Sequence, residues 1–226
     1  MKLQTALLAS LIYIAPAAQA ETYLIPRIGM EYQMYETEFA TGEYASPALG
    51  LSLLHSSGVY FDISVVTYAE GAADEETENV SVGDSKVSDR DEITFTGGYR
   101  FDSGIILFAG LLDTMTSAVK DGNYIEFGSQ GPFVGISNSY KVNNYFSASL
   151  SGAIASLAGQ VSGNNQNFSY DYDGSAIGYS INSALNISIY KGLMGAIGAR
   201  HQSYDYGDEI AKEEVTSVFA KLAYRF

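Results

Sequence analysis

Residues Val215 to Phe226 read VTSVFAKLAYRF, and the chain is organised around this stretch. One parity carries Thr216, Val218, Ala220, Leu222, Tyr224 and Phe226; the other carries Val215, Ser217, Phe219, Lys221, Ala223 and Arg225. An extended strand sends alternate side chains to opposite faces. One face is therefore largely apolar, uncharged and closed by aromatic rings, while the other holds both cations. A strand between hydrocarbon and a polar barrel interior needs this division. An edge strand of a soluble sheet would accept it too, so the rest of the chain has to discriminate.

The same two-residue beat recurs upstream. Tyr23 to Phe39 sets Leu24, Pro26, Ile28, Met30, Tyr32 and Met34 against Arg27, Gly29, Glu31 and Gln33, a pattern that no helical face accommodates. Alternation of this kind predicts further strands over Ala48–Leu54, Val59–Tyr68, Glu92–Phe101, Ile105–Met115, Gly131–Lys141, Tyr145–Leu157, Ser175–Ile189 and Leu193–Tyr204. Ile105–Met115 is the weakest of them, because both parities are apolar and Asp113 interrupts one. After a connection around Gly42, tight turns at His55–Gly58, Asp102–Gly104, Val142–Asn144 and Tyr190–Gly192 alternate with polar stretches at Ala69–Asp91, Thr116–Ser129, Ala158–Asp173 and Asp205–Glu214. With the closing segment this makes ten strands and five outer connections, or eight strands if two weak ones merge or drop out. Short turns on one side and longer loops on the other are the rhythm of an up-and-down transmembrane barrel. The expected fold is thus all-β, a closed antiparallel barrel over residues 21–226.

Composition agrees. The chain has 18 Tyr, 11 Phe and 23 Gly, no Cys, and only 17% charged residues. Without Cys there is no disulfide and no thiolate metal site. The opening MKLQTALLASLIYIAPAAQA has the cationic start, short apolar run and Ala18-Gln19-Ala20 small-x-small site of a secretory signal peptide, expected to be cleaved after Ala20. Its apolar run is shorter than the roughly 20 residues a spanning helix requires. Losing Lys2 with that segment leaves 11 of the 12 Lys and Arg against 26 acids, a net charge of −15. Most of the acids fall in or beside the longer connections, as in Asp74-Glu75-Glu76-Thr77-Glu78, a run that reads as a solvated loop. A surface so acidic repels nucleic acid.

The closing strand resembles the carboxy-terminal strand of Gram-negative outer-membrane β-barrel proteins. That resemblance implies an insertion signal at Leu222, Tyr224 and Phe226, read by the barrel assembly machinery. From signal peptide to terminal Phe, the chain resembles the broad group of small outer-membrane barrels that includes the OmpA/OmpX type. It implies outer-membrane lipid and lipopolysaccharide as surroundings and no cofactor.

On the polar parity lie Arg27, Glu31, Asp62, Arg100, Lys141, Arg200, Lys221 and Arg225, expected to face inward. Charges inside a narrow barrel must meet opposite charges or water; Arg27, Glu31, Asp62 and Arg100 are candidates for one network. Tyr23, Tyr60, Tyr99, Tyr140, Tyr145, Tyr190 and Tyr224 at one set of strand ends, with Tyr32, Tyr35, Tyr68 and Tyr204 at the other, read as interfacial girdles.

Chemistry is sparsely provided for. There are two histidines, His55 in a turn and His201 on the lipid-facing parity with Ser203. Strand geometry sets the His201 and Ser203 side chains about 7 Å apart on one face. The pair resembles the His-x-Ser of outer-membrane lipid A deacylases, although Tyr204 stands where that family has Asn; Glu209 is the nearest guess for an acid. The omptin proteases use paired acids and a His-Asp couple, and neither histidine sits in such a set. Neither a metal-ligand cluster nor a phosphate-binding loop nor a nucleophile elbow is present. The expectation is a non-enzymatic barrel, structural or acting through its acidic loops. A narrow pore is the alternative, and lipid A modification a remote one.

Overall fold

The computed structural model describes residues 22–37, 40–67, 85–120, 123–165, 168–207 and 212–226. The signal segment, the 74–78 acidic run, Tyr68 and Glu209 lie outside them. The described residues form ten strands and no helix: β1 (Thr22–Glu36), β2 (Ala40–His55), β3 (Val59–Thr67), β4 (Ser85–Arg100), β5 (Ile105–Lys120), β6 (Asn123–Lys141), β7 (Phe146–Asn165), β8 (Phe168–Tyr190), β9 (Leu193–Asp205) and β10 (Lys212–Tyr224). Each strand pairs antiparallel with its sequence neighbours, and β1 pairs with both β2 and β10, which closes the sheet.

The stagger of that closure can be read from the register. From Ile28, hydrogen-bonded partners lead one way through Leu222, Gly195 and Ile187 to Phe146 on β7. The other way they lead through Leu49, Val65, Ile93, Asp113 and Gln130 to Ala158 on the same strand, twelve residues along. A closed sheet with such an offset must tilt its strands, by roughly 35–45° in barrels generally.

The two faces meet different surroundings. Ile28, Leu49, Phe61, Leu111, Ile136, Leu150, Ile154, Ile181, Ile197 and Leu222 all point outward and are at least half exposed. Two sheets packed face to face would hide these side chains; here they form a continuous apolar belt around the wall. Tyr99, Phe101, Tyr140, Tyr145, Tyr190, Tyr224 and Phe226 border it at the end of the tight turns. At the opposite, loop end it gives way to the exposed carboxylates Glu36, Glu43, Asp91, Asp113 and Asp205. Asp113 therefore does not break β5: it faces out between Leu111 and Met115, in register with Ile93 and Gln130.

Several elements differ from the sequence expectation. Gly42 belongs to β2, and the polar stretches Thr116–Ser129 and Ala158–Asp173 are mostly strand. Strands β5 and β6, and β7 and β8, are separated by two residues each. Beyond the membrane belt both faces of a strand meet polar surroundings, so the alternation that marks a strand disappears while the backbone ladder continues. A register shift between Val87 and Asp89 lets Val87 and Arg90, of opposite parity, both lie buried. Among the girdle tyrosines, Tyr35 and Tyr204 are instead buried inside the bore, and the Tyr60 ring lies against Gly98 on the inner face.

Candidate functional site

Inside the barrel, the loop-end half is filled. Arg90 on β4 reaches across the bore to Glu213 on β10, Nη1 to Oε1 at 2.5 Å, and also donates to Thr116 on β5. Glu213 accepts further hydrogen bonds from Tyr206 (2.8 Å) and Thr116 (3.2 Å), and the Tyr206 hydroxyl meets Ser129 of β6 at 2.7 Å. Deeper in, Arg200 on β9 bridges Glu92 of β4 (2.5 Å) and Glu31 of β1 (2.8 Å). Lys221 meets the other Glu31 oxygen at 2.7 Å, and the Gln202 amide donates to Glu92 and to the Tyr204 hydroxyl. Three cations thus face three carboxylates, and Arg90, Glu31, Glu92 and Glu213 are all buried. Charges so enclosed persist only when paired and hydrogen-bonded.

Apolar and aromatic side chains complete the closure. Phe127, Leu157, Val161, Ala176, Tyr204 and Tyr206 form one buried cluster; Tyr35, Tyr44, Val87, Ala118 and Val215 form another. The Arg90 guanidinium stands 5.7 Å from the centroid of the Tyr35 ring. Room for the rings comes from glycines of β7 and β8: a Cβ at Gly159 would run into the Tyr206 ring, and one at Gly178 would crowd Tyr204.

The turn-end half is open by comparison. Its inner wall carries Ser147, Ser149, Ser151, Asn182, Ala184, Asn186 and Ala196, all of intermediate exposure. Arg27 pairs with Asp62 at 2.6 Å, and Asp62 also accepts from Ser52. The single network expected for Arg27, Glu31, Asp62 and Arg100 is divided, since Glu31 pairs with Arg200 and Lys221. Arg100, Lys141 and Arg225 are exposed at the turn end, with Arg225 stacked 5.0 Å from the Tyr23 ring. Leu222, Tyr224 and Phe226 face outward, and the last two rings meet edge to face.

Arg90, Glu92, Gln202 and Glu213, central to the closure, were not singled out from the sequence. Arg90 and Glu213 fall in stretches read as loops. Continuing the polar parity of Thr94 and Thr96 back to Glu92 and Arg90, and that of Ser217 back to Glu213, is the signal that finds them.

Neither histidine lies in the bore. His55 sits in a tight turn, its Nδ1 2.8 Å from Ser57. His201 is on the outer face, its Nδ1 2.9 Å from the Thr216 hydroxyl and its ring 6.1 Å from that of Tyr179. Ser203 is fully buried, with no hydrogen-bond partner for its hydroxyl. Directly opposite Ser203 in register stands Glu214, which is ion-paired with Lys212. No cluster of metal-ligating side chains occurs among the described residues.

No protein-family model and no curated protein matches the chain. Solved structures do. The outer membrane protease OmpT of Escherichia coli superposes with a TM-score of 0.63 at 11% identity, over 92% of this chain and 96% of that one. Neisserial surface protein A matches with a TM-score of 0.46 at 10% identity, over 90% and 97% of the two chains. The attachment invasion locus protein Ail of Yersinia pestis matches with a TM-score of 0.44 at 12% identity, over 91% and 99%. At such identities the likeness speaks for fold, and only the first superposition is close enough to carry it. The chain has the fold of the outer-membrane β-barrel proteins, as a closed antiparallel barrel of ten strands.

Proposed function

We propose that this chain is an integral outer-membrane protein, exported with residues 1–20 removed, whose work is done at its surface and not by passage through its bore. The turn end, with Thr22 and Phe226, faces the periplasm, and the acidic loop end faces outward. The observation that carries this reading is the closure of the outer half. Side chains from β1, β4, β9 and β10 meet across the lumen in a charge-balanced network, and aromatic clusters fill the space around it. The excess of acids at the outer end favours cationic partners or a solvated, repulsive coat. The supporting test is single-channel recording in planar bilayers. The purified barrel is expected to be electrically silent, and a stable cation-preferring conductance would replace this reading with that of a narrow pore.

A second reading has one observation in its favour: Glu214 supplies, opposite Ser203, the acidic neighbour that His201 and Ser203 would need for acyl-ester hydrolysis. Ser203 would attack a lipid ester while His201 takes its proton and passes it to the departing alcohol; water would then free the acid. The burial of Ser203 ranks this below the first reading. Mass spectra of lipid A, compared with and without expression of the protein, decide it: an unchanged spectrum removes the reading.

A further inference from the structure

Four of the five strands that run toward the turn end finish on the same two-residue unit: Tyr99-Arg100 on β4, Tyr140-Lys141 on β6, Tyr190-Lys191 on β8 and Tyr224-Arg225 on β10. On β2 the matching place is held by Leu54-His55. All four tyrosines and all four cations are exposed. Among the described residues, none of these cations enters an ion pair. Lys191 lies instead over the exposed Tyr190 ring, 5.3 Å from its centroid, and Arg225 over that of Tyr23. Asp102 is the one exposed acidic side chain at this end among the described residues, whereas the loop end carries Glu36, Glu43, Asp91, Asp113 and Asp205.

Position gives the repeat its meaning. A tyrosine at the edge of an apolar belt sits at the boundary between hydrocarbon and headgroups. The residue after it is one strand step further out, about 3.3 Å, and so at the depth of the lipid phosphates. Water would accept a cation anywhere in a turn; here one directly follows an interfacial tyrosine at four strand ends. Neighbouring units stand two strands apart, roughly 10 Å across the sheet, a spacing that lets each meet a different headgroup. Long Arg and Lys stems leave the charged heads free to follow them.

We propose that these four units form a crown at the periplasmic rim that binds anionic phospholipids of the inner leaflet, through their phosphates, in preference to zwitterionic ones. A zwitterionic headgroup carries its own ammonium, which competes for the phosphate and is repelled by the crown. An anionic headgroup leaves its charge to Arg or Lys. Lipopolysaccharide, which is also anionic, faces the acidic loop end in the orientation proposed above. Only the naming of the leaflet rests on that orientation; the lipid preference rests on the crown itself.

The test uses the full-length mature barrel in detergent micelles, given an equimolar mixture of phosphatidylglycerol and phosphatidylethanolamine with matched acyl chains. Lipids retained on the protein are counted by native mass spectrometry. Phosphatidylglycerol is expected to exceed phosphatidylethanolamine at least about fivefold, what a single cation near an anionic surface supplies. Changing Arg100, Lys141, Lys191 and Arg225 together to Gln should bring the two lipids to parity. Lys141→Gln with Lys191→Gln should reduce the preference by part, and keeps the proposal testable if the fourfold variant does not refold. Exchanging Arg100→Lys and Arg225→Lys, which keeps the charge, should retain the preference. Equal retention of the two lipids by the unaltered barrel, or an undiminished preference in the neutralised variants, would overturn the proposal. So would retention on isolated peptidoglycan without a lipid preference, which would assign the crown to the wall polymer. Micelles have no leaflets, so this readout can fail while the orientation of the barrel stands, and the reverse.

Discussion

The two halves of the bore are built from the same ten walls and behave as different materials. Toward the loop end, inward positions carry Arg, Glu, Gln and Tyr, and they are almost all buried. Toward the turn end, the inward positions of β7 and β8 carry Ser, Asn and Ala, and they are half open to solvent. Long side chains meeting across a lumen of this width exclude water and must satisfy one another. Short ones cannot span it, and water does the satisfying instead. Closure here is thus a matter of side-chain length at fixed barrel radius. The ion pairs follow from that: Arg90 with Glu213 is sealed, whereas Arg27 with Asp62 remains partly wet, at 31% and 16% side-chain exposure.

The contrast can be broken outright by labelling. The chain has no cysteine, so a single introduced thiol reports alone. Ser149→Cys is expected to react with a water-soluble maleimide in the folded barrel, whereas Ser129→Cys should stay unmodified until the barrel is unfolded. Equal reactivity at the two positions would dissolve the distinction between the halves.

Stability gives the next largest effect. Arg90→Ala leaves Glu213 buried and unpaired, and should cost about 3–5 kcal/mol of unfolding free energy, read from urea titration in micelles. The double change Arg90→Met with Glu213→Leu should cost less than the single one, because no charge is stranded. A single change within experimental error of wild type would mean that water reaches the closed half. The smallest effect belongs to the open half: Arg27→Ala should cost no more than about 1 kcal/mol, since its pair with Asp62 is partly solvated and screened. A loss as large as that of Arg90→Ala would show the turn end to be as dry as the loop end.

How much of this was legible beforehand differs by depth in the membrane. Within the belt, Ile28, Ile136, Leu150, Ile197 and Leu222 alternate with small or polar residues because each strand separates hydrocarbon from a bore, and that pattern is visible residue by residue. Above the belt the outer face turns polar. Ser117, Glu126, Gln160 and Asp173 then read as loop although their backbones are laddered. For the same reason Glu213 reads as part of the polar stretch Asp205–Glu214 and Glu92 as the residue beside Ala69–Asp91 that opens a strand, while both carboxylates lie inside. The inward direction of Arg27, Glu31, Asp62, Arg200 and Lys221 follows from parity alone. Their partners do not, because partners come from strands as far apart in sequence as Glu31 and Arg200.

The chain read alone shows that every strand has an oily and a polar side and that the strands number ten or eight. These are local properties, written in alternation and turn residues within a few positions of one another. That the bore is shut at one end and more open at the other emerges only from the folded barrel. That outcome depends on the twelve-residue stagger, which sets the residues that share a height, and so on which side chains from distant strands are long enough to touch.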